Sequence, residues 1–340
     1  MPKNKTLHVH AGFHKTGTSA IQNYLFHHDL GSSHSYLHVG GENSSLVMLE
    51  AFKRDYINGP AYNGPRLSSL EARLSQERAK DKLIAGIHKN DSENVILSAE
   101  SIGTYSLQEH ELVREFFSDY FSDVKLYLYA RPHKSRIESA FQEILKVTYR
   151  GLDKQFVMIF KRLIGNIDQI YGADRVSVKK YCSDSFVDGD VVTDFLNQLG
   201  LSRENHLVTR KNTSLSMPAV QLLYIYRMYF PHSDPRDERL VERLLTLKGK
   251  RFRMHSELFN RLLLTREDDL EWLRERAGFS LEEDITQHDA FGIKNETSLT
   301  EISEQTKDWL MKQRMRSFNR RRRLDSSPEN IAKSLRALAF

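Results

Sequence analysis

Gly12-Phe13-His14-Lys15-Thr16-Gly17-Thr18-Ser19 is the stretch of this 340-residue chain that decides its fold. It lies between a short apolar run, Thr6 to Ala11, and an amphipathic run, Ala20 to His28. That order predicts a strand, a glycine-containing turn and a helix, the geometry that holds a phosphate. Turn N–H groups converge there, and a helix N-terminus adds roughly half a positive charge. Lys15 adds a full charge, and Thr16, Thr18 and Ser19 offer hydroxyls. The residue order differs from the nucleotide-triphosphatase loop, Gly-x-x-x-x-Gly-Lys-[Ser/Thr], in which Lys follows the second Gly and a hydroxyl meets Mg²⁺. Here Lys15 precedes Gly17 and Thr18 follows it. The expected guest is an anion held by Lys, backbone and hydroxyls, with no obligatory metal. The plain alternative is an ordinary strand-to-helix turn with a solvated lysine.

Outward from this loop, apolar and helical runs alternate. Strands are expected at Asn94 to Ser98, Val124 to Ala130 and Arg175 to Lys180, with another at Ser35 to Val39. Helices are expected at Ser19 to His28, Glu109 to Tyr120, His133 to Tyr149, Lys154 to Tyr171 and Asp190 to Leu199. Alternation of this kind implies an α/β fold, a mostly parallel sheet flanked by helices. An excursion from Gly40 to Asn90 interrupts it with two Asn-Gly-Pro turns and one charged helical stretch, Ser68 to His88. From Met217 strand signals stop. Gln221 to Phe230, Arg236 to Leu247, Ser256 to Leu264, Asp268 to Ala277, Leu299 to Arg323 and Pro328 to Ala339 read as helices. The expected organisation is a core at 1–216, with 40–90 an insertion where an acceptor lid could sit, and a helical C-terminal region at 217–340.

A second motif stands about 115 residues beyond Lys15: a buried-looking strand, then Arg131-Pro132-His133-Lys134-Ser135-Arg136-Ile137-Glu138-Ser139. The planar fork of Arg suits a compact phosphate dianion, and Ser139 follows eight residues later. The alternative is an Arg paired with a carboxylate and a Ser on a solvated face. Between the two motifs, Glu100 ends a strand and points to the carboxyl edge, where ligands of such sheets bind.

The loop resembles the 5′-phosphosulfate loop of sulfotransferases that use 3′-phosphoadenosine 5′-phosphosulfate (PAPS), commonly Lys-[Thr/Ser]-Gly-Thr-[Thr/Ser]. Here it is Lys15-Thr16-Gly17-Thr18-Ser19. The second motif is similar to that family's strand-end Arg and later Ser, so the resemblance spans residues 5 to about 216. It implies a P-loop-type core and sulfuryl transfer from PAPS to a hydroxyl, without a metal. Lys15 and Glu100 would be catalytic. His14, Lys15, Thr16, Gly17, Thr18, Ser19, Arg131, Ser139 and Asn212 would hold the nucleotide. Glu100 is the candidate base, with a helix cap or a lysine pair as its alternative role and His14, His10 and His38 as rival bases. Asn212 lies in Arg210-Lys211-Asn212-Thr213-Ser214-Leu215-Ser216, a stretch that could cover the nucleotide or cap the next helix through Ser214 or Ser216. The implied acceptor is a glycan or glycolipid hydroxyl, with a small phenol or alcohol as the alternative. Two other readings are a metal-dependent P-loop kinase and a non-catalytic scaffold binding 3′-phosphoadenosine 5′-phosphate (PAP).

Composition sets outer limits. A hydrophobic fraction of 39% and a charged fraction of 28% suit a globular protein. The single cysteine, Cys182, excludes an intrachain disulfide and fits a reducing compartment. No signal segment or long apolar run is read, so a cytoplasmic enzyme of the bacterial type is expected. The formal charge of +5 is uneven, with Arg314, Arg316 and Arg320 to Arg323 near the end. Peripheral contact with an anionic surface would use that run, and a solvated helix face is its bland reading. No aromatic–basic interleaving supports nucleic-acid binding.

Overall fold

Strand positions follow from where β-branched and aromatic residues alternate between two buried faces. The computed structural model describes residues 4–59, 62, 64–154, 157–203, 214–263, 267–318 and 327–339. Among them are five strands: β1 (Thr6–His10), β2 (His34–Tyr36), β3 (Asn94–Ser98), β4 (Asp123–Ala130) and β5 (Val176–Lys180). The first helices are α1 (Thr18–His27), α2 (Ser45–Phe52), α3 (Ser69–His88), α4 (Leu107–Ser118), α5 (His133–Val147), α6 (Phe160–Tyr171) and α7 (Val191–Gln198). Then come α8 (Met217–Tyr229), α9 (Asp237–Leu245), α10 (Ser256–Leu262), α11 (Glu267–Ala277), α12 (Glu296–Thr300), α13 (Glu304–Phe318) and α14 (Pro328–Ala339).

Two compact units result, and they interleave along the chain. The first comprises 1–131, 158–206 and 267–281; the second comprises 132–157, 207–266 and 282–340. The sequence expectation divides the chain once, after residue 216.

In the first unit the strands pair in parallel throughout, in the order β2-β3-β1-β4-β5. Successive side chains of a strand point to opposite faces, and the cores follow that rule. Leu7, Val9, Val95, Leu97, Leu126 and Leu128 pack with α2, α3, α4 and α6 on one face. Ile96, Tyr127 and Tyr129 pack with α1 and α7 on the other. The sheet is thus covered on both faces, as an all-parallel sheet requires.

The 40–90 stretch, expected to hold one charged helix, holds two. It contains α2, whose Met48, Ala51 and Phe52 enter the sheet's core beside Ala79, Leu83 and Ile87 of α3. Two other helices also differ. The helix expected at Lys154 starts at Phe160, because Asp269 of α11 receives the N–H groups of Phe160 (2.9 Å) and Lys161 (2.7 Å) and fixes that end. The helix expected over Leu299 to Arg323 is two. An Asn295–Ser298 capping box starts α12, and Ser303 accepts from the Thr306 N–H (3.2 Å) to start α13.

The second unit is helical. α5, α8, α9, α10 and α14 share a core that includes Phe141, Leu223, Leu240, Phe259 and Leu335. The first turns of α5 bury charge as well. Glu138 accepts from Lys134 Nζ (3.3 Å), Arg253 Nη1 (2.9 Å) and the Met254 N–H (2.9 Å), which keeps a buried carboxylate paired.

Candidate functional site

The site begins where β1 leaves the sheet. The Ala11 N–H still reaches the Tyr127 carbonyl (3.1 Å), so the chain turns away at Gly12. A Cβ on Gly12 would stand 2.7 Å from Thr18 Oγ1 and 3.3 Å from His10 Nε2, and only hydrogen fits. Phe13 is buried with its ring 5.9 Å from Phe160, anchoring the loop in the core, while His14 is exposed. The Thr16 hydroxyl donates to the Phe13 carbonyl, so its proton is used inside the loop. Lys15 (φ 71°) and Gly17 (φ 77°) are both left-handed. For a residue with a side chain that conformation costs about 1–3 kcal/mol and persists only where neighbours enforce it. Arg131 is such a neighbour: its Nη1 donates to the Lys15 carbonyl at 2.8 Å.

Gly17 precedes α1, which has no side-chain cap and no acidic residue in its first turn. Thr18 Oγ1, in that turn, is buried and has no hydrogen-bond partner among the described residues. Orphan N–H groups and an unpartnered hydroxyl at a positive helix end suit an anion. Ser19 is exposed beside them. Tyr181 closes the other side. A Cβ on Gly17 would lie 3.1 Å from its ring, and the Arg131 guanidinium stands 5.4 Å from the ring centre.

The three central strands, β3, β1 and β4, therefore bring Glu100, the Gly12–Ser19 loop and Arg131 to one carboxyl edge. After β1 the chain crosses to the α1 face, and after β3 and β4 it crosses to the other. Such a switch opens the crevice where ligands of parallel sheets bind. Glu100 opens a short 3-10 turn, Glu100–Thr104. Its Oε1 lies 3.1 Å from His14 Nδ1, with the two side chains 21% and 57% exposed. Burial would raise its carboxyl. The hydrogen bond and charge of His14, joined by the charges of His10 and Lys15, outweigh burial and hold it below the usual value.

The rival bases separate by position. His10 is fully buried, its Nδ1 2.8 Å from Ser98 Oγ, and burial pushes it down to about 4 against the opposing charge of Glu100. It stays neutral at pH 7. His38 lines a different cavity, of about 460 Å³, beside β2. Only His14 reaches both Glu100 and solvent.

His10 also sets an acid limit. The unfolded chain protonates this ring near 6.5 and the folded chain only near 4, so between those values the unfolded state binds more protons. Stability should fall as pH drops from about 6.5 toward about 4. Urea midpoints of wild type and His10→Gln measured across that range should converge at the acid end. Parallel slopes would remove His10 from that role.

Ser139 lies on α5 in the second unit, and Asn212 lies outside the described residues. Ser216 accepts from the Ala219 N–H (3.4 Å) and caps α8, as the plainer reading of that stretch has it. Cys182 is half-buried just beyond β5. Sequence reasoning passed over Tyr181 and Gly103. Tyr181 directly follows an expected strand, but which residues it faces depends on the strand order. A Cβ on Gly103 would stand 2.8 Å from the Ala11 carbonyl, so this glycine lets the Glu100 turn pack against the loop.

No family model matches the chain, and no curated protein matches it. Among solved structures it is similar to a sulfotransferase from Alicyclobacillus acidocaldarius. The identity is 15% over 75% of this chain and 93% of that chain, with a TM-score of 0.38.

Proposed function

We propose that this protein is a sulfotransferase that moves a sulfuryl group from PAPS to a hydroxyl-bearing acceptor. The observation that carries the reading is the anion cradle after β1: an uncapped α1 N-terminus, a buried Thr18 hydroxyl without a partner, and Lys15 held by Arg131 from the neighbouring strand. PAPS, when bound, supplies a sulfuryl group already activated on a phosphate. Lys15 and the first N–H groups of α1 favour the negative charge that grows on that phosphate as it leaves. Arg131 offers its fork to the second phosphate of the nucleotide. The Glu100–His14 pair receives the acceptor's proton. The loop order, with Lys15 ahead of Gly17, provides for an anion without Mg²⁺.

The resemblance adds Ser139 and Asn212 to the residues that hold the nucleotide, and a glycan or glycolipid hydroxyl as acceptor. No helix among the described residues is long and apolar enough to cross a membrane. The basic run Arg320 to Arg323, the candidate for peripheral contact, lies outside the described residues.

PAP added at 100 times its dissociation constant should stabilise the folded protein by about 2.7 kcal/mol. The check is a rise in melting temperature in Mg²⁺-free buffer. A flat response to millimolar PAP would sink the donor assignment. A shift without any turnover of PAPS would favour a PAP-binding scaffold.

A further inference from the structure

We propose that His14, not Glu100, takes the proton from the acceptor hydroxyl, and that Glu100 is a positioning residue acting through it; this rests on the sulfotransferase reading above. Glu100 Oε1 sits 3.1 Å from His14 Nδ1. A carboxylate can only accept, so Nδ1 carries the hydrogen and Nε2 keeps its lone pair. The ring is then fixed in one tautomer with its basic nitrogen directed away from Glu100, as in a carboxylate–imidazole–hydroxyl relay.

Exposure agrees. His14 is 57% exposed and Glu100 is 21% exposed, so an acceptor bulkier than water meets the imidazole first. The chemistry agrees as well. A carboxylate held below its usual range by His14 and Lys15 binds a proton weakly. A base works best when its affinity for the proton lies near the operating pH, and a carboxylate held low falls short of that. The titratable groups beside this pair are Lys15 from the same loop and His10, which is neutral at pH 7. Lys15 directly follows His14, which places the groups for the incoming hydroxyl and the departing phosphate side by side on one loop.

In the step, the acceptor O–H proton passes to His14 Nε2 as the acceptor oxygen bonds to sulfur. The bond between sulfur and the 5′-phosphate oxygen breaks, and its electron pair stays on the phosphate of PAP. The imidazolium afterwards releases its proton to solvent.

The experiment needs no knowledge of the natural acceptor. PAP release from PAPS, with water as acceptor, is followed from pH 5 to pH 9 for wild type, His14→Gln and Glu100→Gln. The PAP melting shift is measured on each. Wild-type rates should rise through one ionisation in the imidazole range. His14→Gln should lose about 100-fold and lose that ionisation, within the usual worth of a general base. Glu100→Gln should lose about 10-fold and keep the ionisation, because the imidazole that takes the proton is still present. Glu100→Gln should keep the wild-type PAP shift. His14→Gln within about 3-fold of wild type, with Glu100→Gln 100-fold down, would return the base to Glu100 and overturn the proposal. No PAP shift in wild type would overturn the donor assignment itself and this proposal with it.

Discussion

Lys15→Ala is expected to lower sulfuryl transfer from PAPS by about 10²–10³-fold, the usual loss when one preorganised donor to developing charge is removed. Three features make the ammonium hard to replace. It belongs to the loop that carries the α1 N-terminus, its charge already acts on Glu100, and its backbone is held by Arg131. The backbone needs its own control, because Lys15 sits at φ 71° and alanine is strained there. Lys15→Gly separates the two effects. Glycine adopts that conformation freely, so it removes the charge while relaxing the loop. If charge is what matters, both variants lose activity to the same extent, and Lys15→Gly is the more stable of the two. Steady-state assays with PAPS and thermal melts would decide. Activity of Lys15→Gly within about 3-fold of wild type would show that Lys15 serves the shape of the loop and not the chemistry.

What could be read in advance was local. The β1 loop, Glu100 and Arg131 announce themselves because each sits at the end of an apolar run whose alternation is visible in one dimension. β3 was placed at Asn94–Ser98 from that signal alone, and it is found there. The parallel sheet followed from the alternation of strands with helices. What escaped depends on partners distant in sequence. Asp269 sets the start of α6 from a helix 109 residues away, and no pattern around Lys154 reveals that. The buried face of α2 was in plain sight as Val47, Met48, Ala51 and Phe52 at helical spacing, but between turn-rich residues no helix was read there. The contact of Arg131 with Lys15 needs β1 and β4 to be neighbours, which requires the strand order. The pairing of His14 with Glu100 needs β1 beside β3 in the same way. Motif spacing could name both residues as candidates. It could not say which of them faces solvent, and that difference moves the proposed base from one to the other.

Arg227→Ala is expected to destabilise the second unit by about 3–5 kcal/mol, the cost of leaving a buried charge without its partner. Arg227 is wholly buried, and each nitrogen of its guanidinium donates a hydrogen bond. Nε donates to the Leu145 carbonyl (2.8 Å) and Nη2 to the Lys146 carbonyl. Nη1 donates to Asp237 (2.7 Å) and to the Phe230 and His232 carbonyls (both 3.3 Å). One side chain thus satisfies the last carbonyls of α5 and the turn after α8, groups that a buried helix end must otherwise leave unmet. Asp237 would keep only the Tyr226 hydroxyl (2.6 Å) and the Asp234 N–H (3.0 Å), too little for a charge out of water. Arg227→Lys should recover little, since an ammonium cannot span that fork. Arg227→Met with Asp237→Leu should recover more than either single change, because no lone charge is left behind. Arg227 thus holds the carboxyl end of α5. Urea unfolding, read on the transition that Arg227→Ala moves, should show the loss with an unchanged slope against denaturant. A loss below about 1 kcal/mol would mean that water replaces the guanidinium at no great cost, and that Arg227 is not what fastens α5.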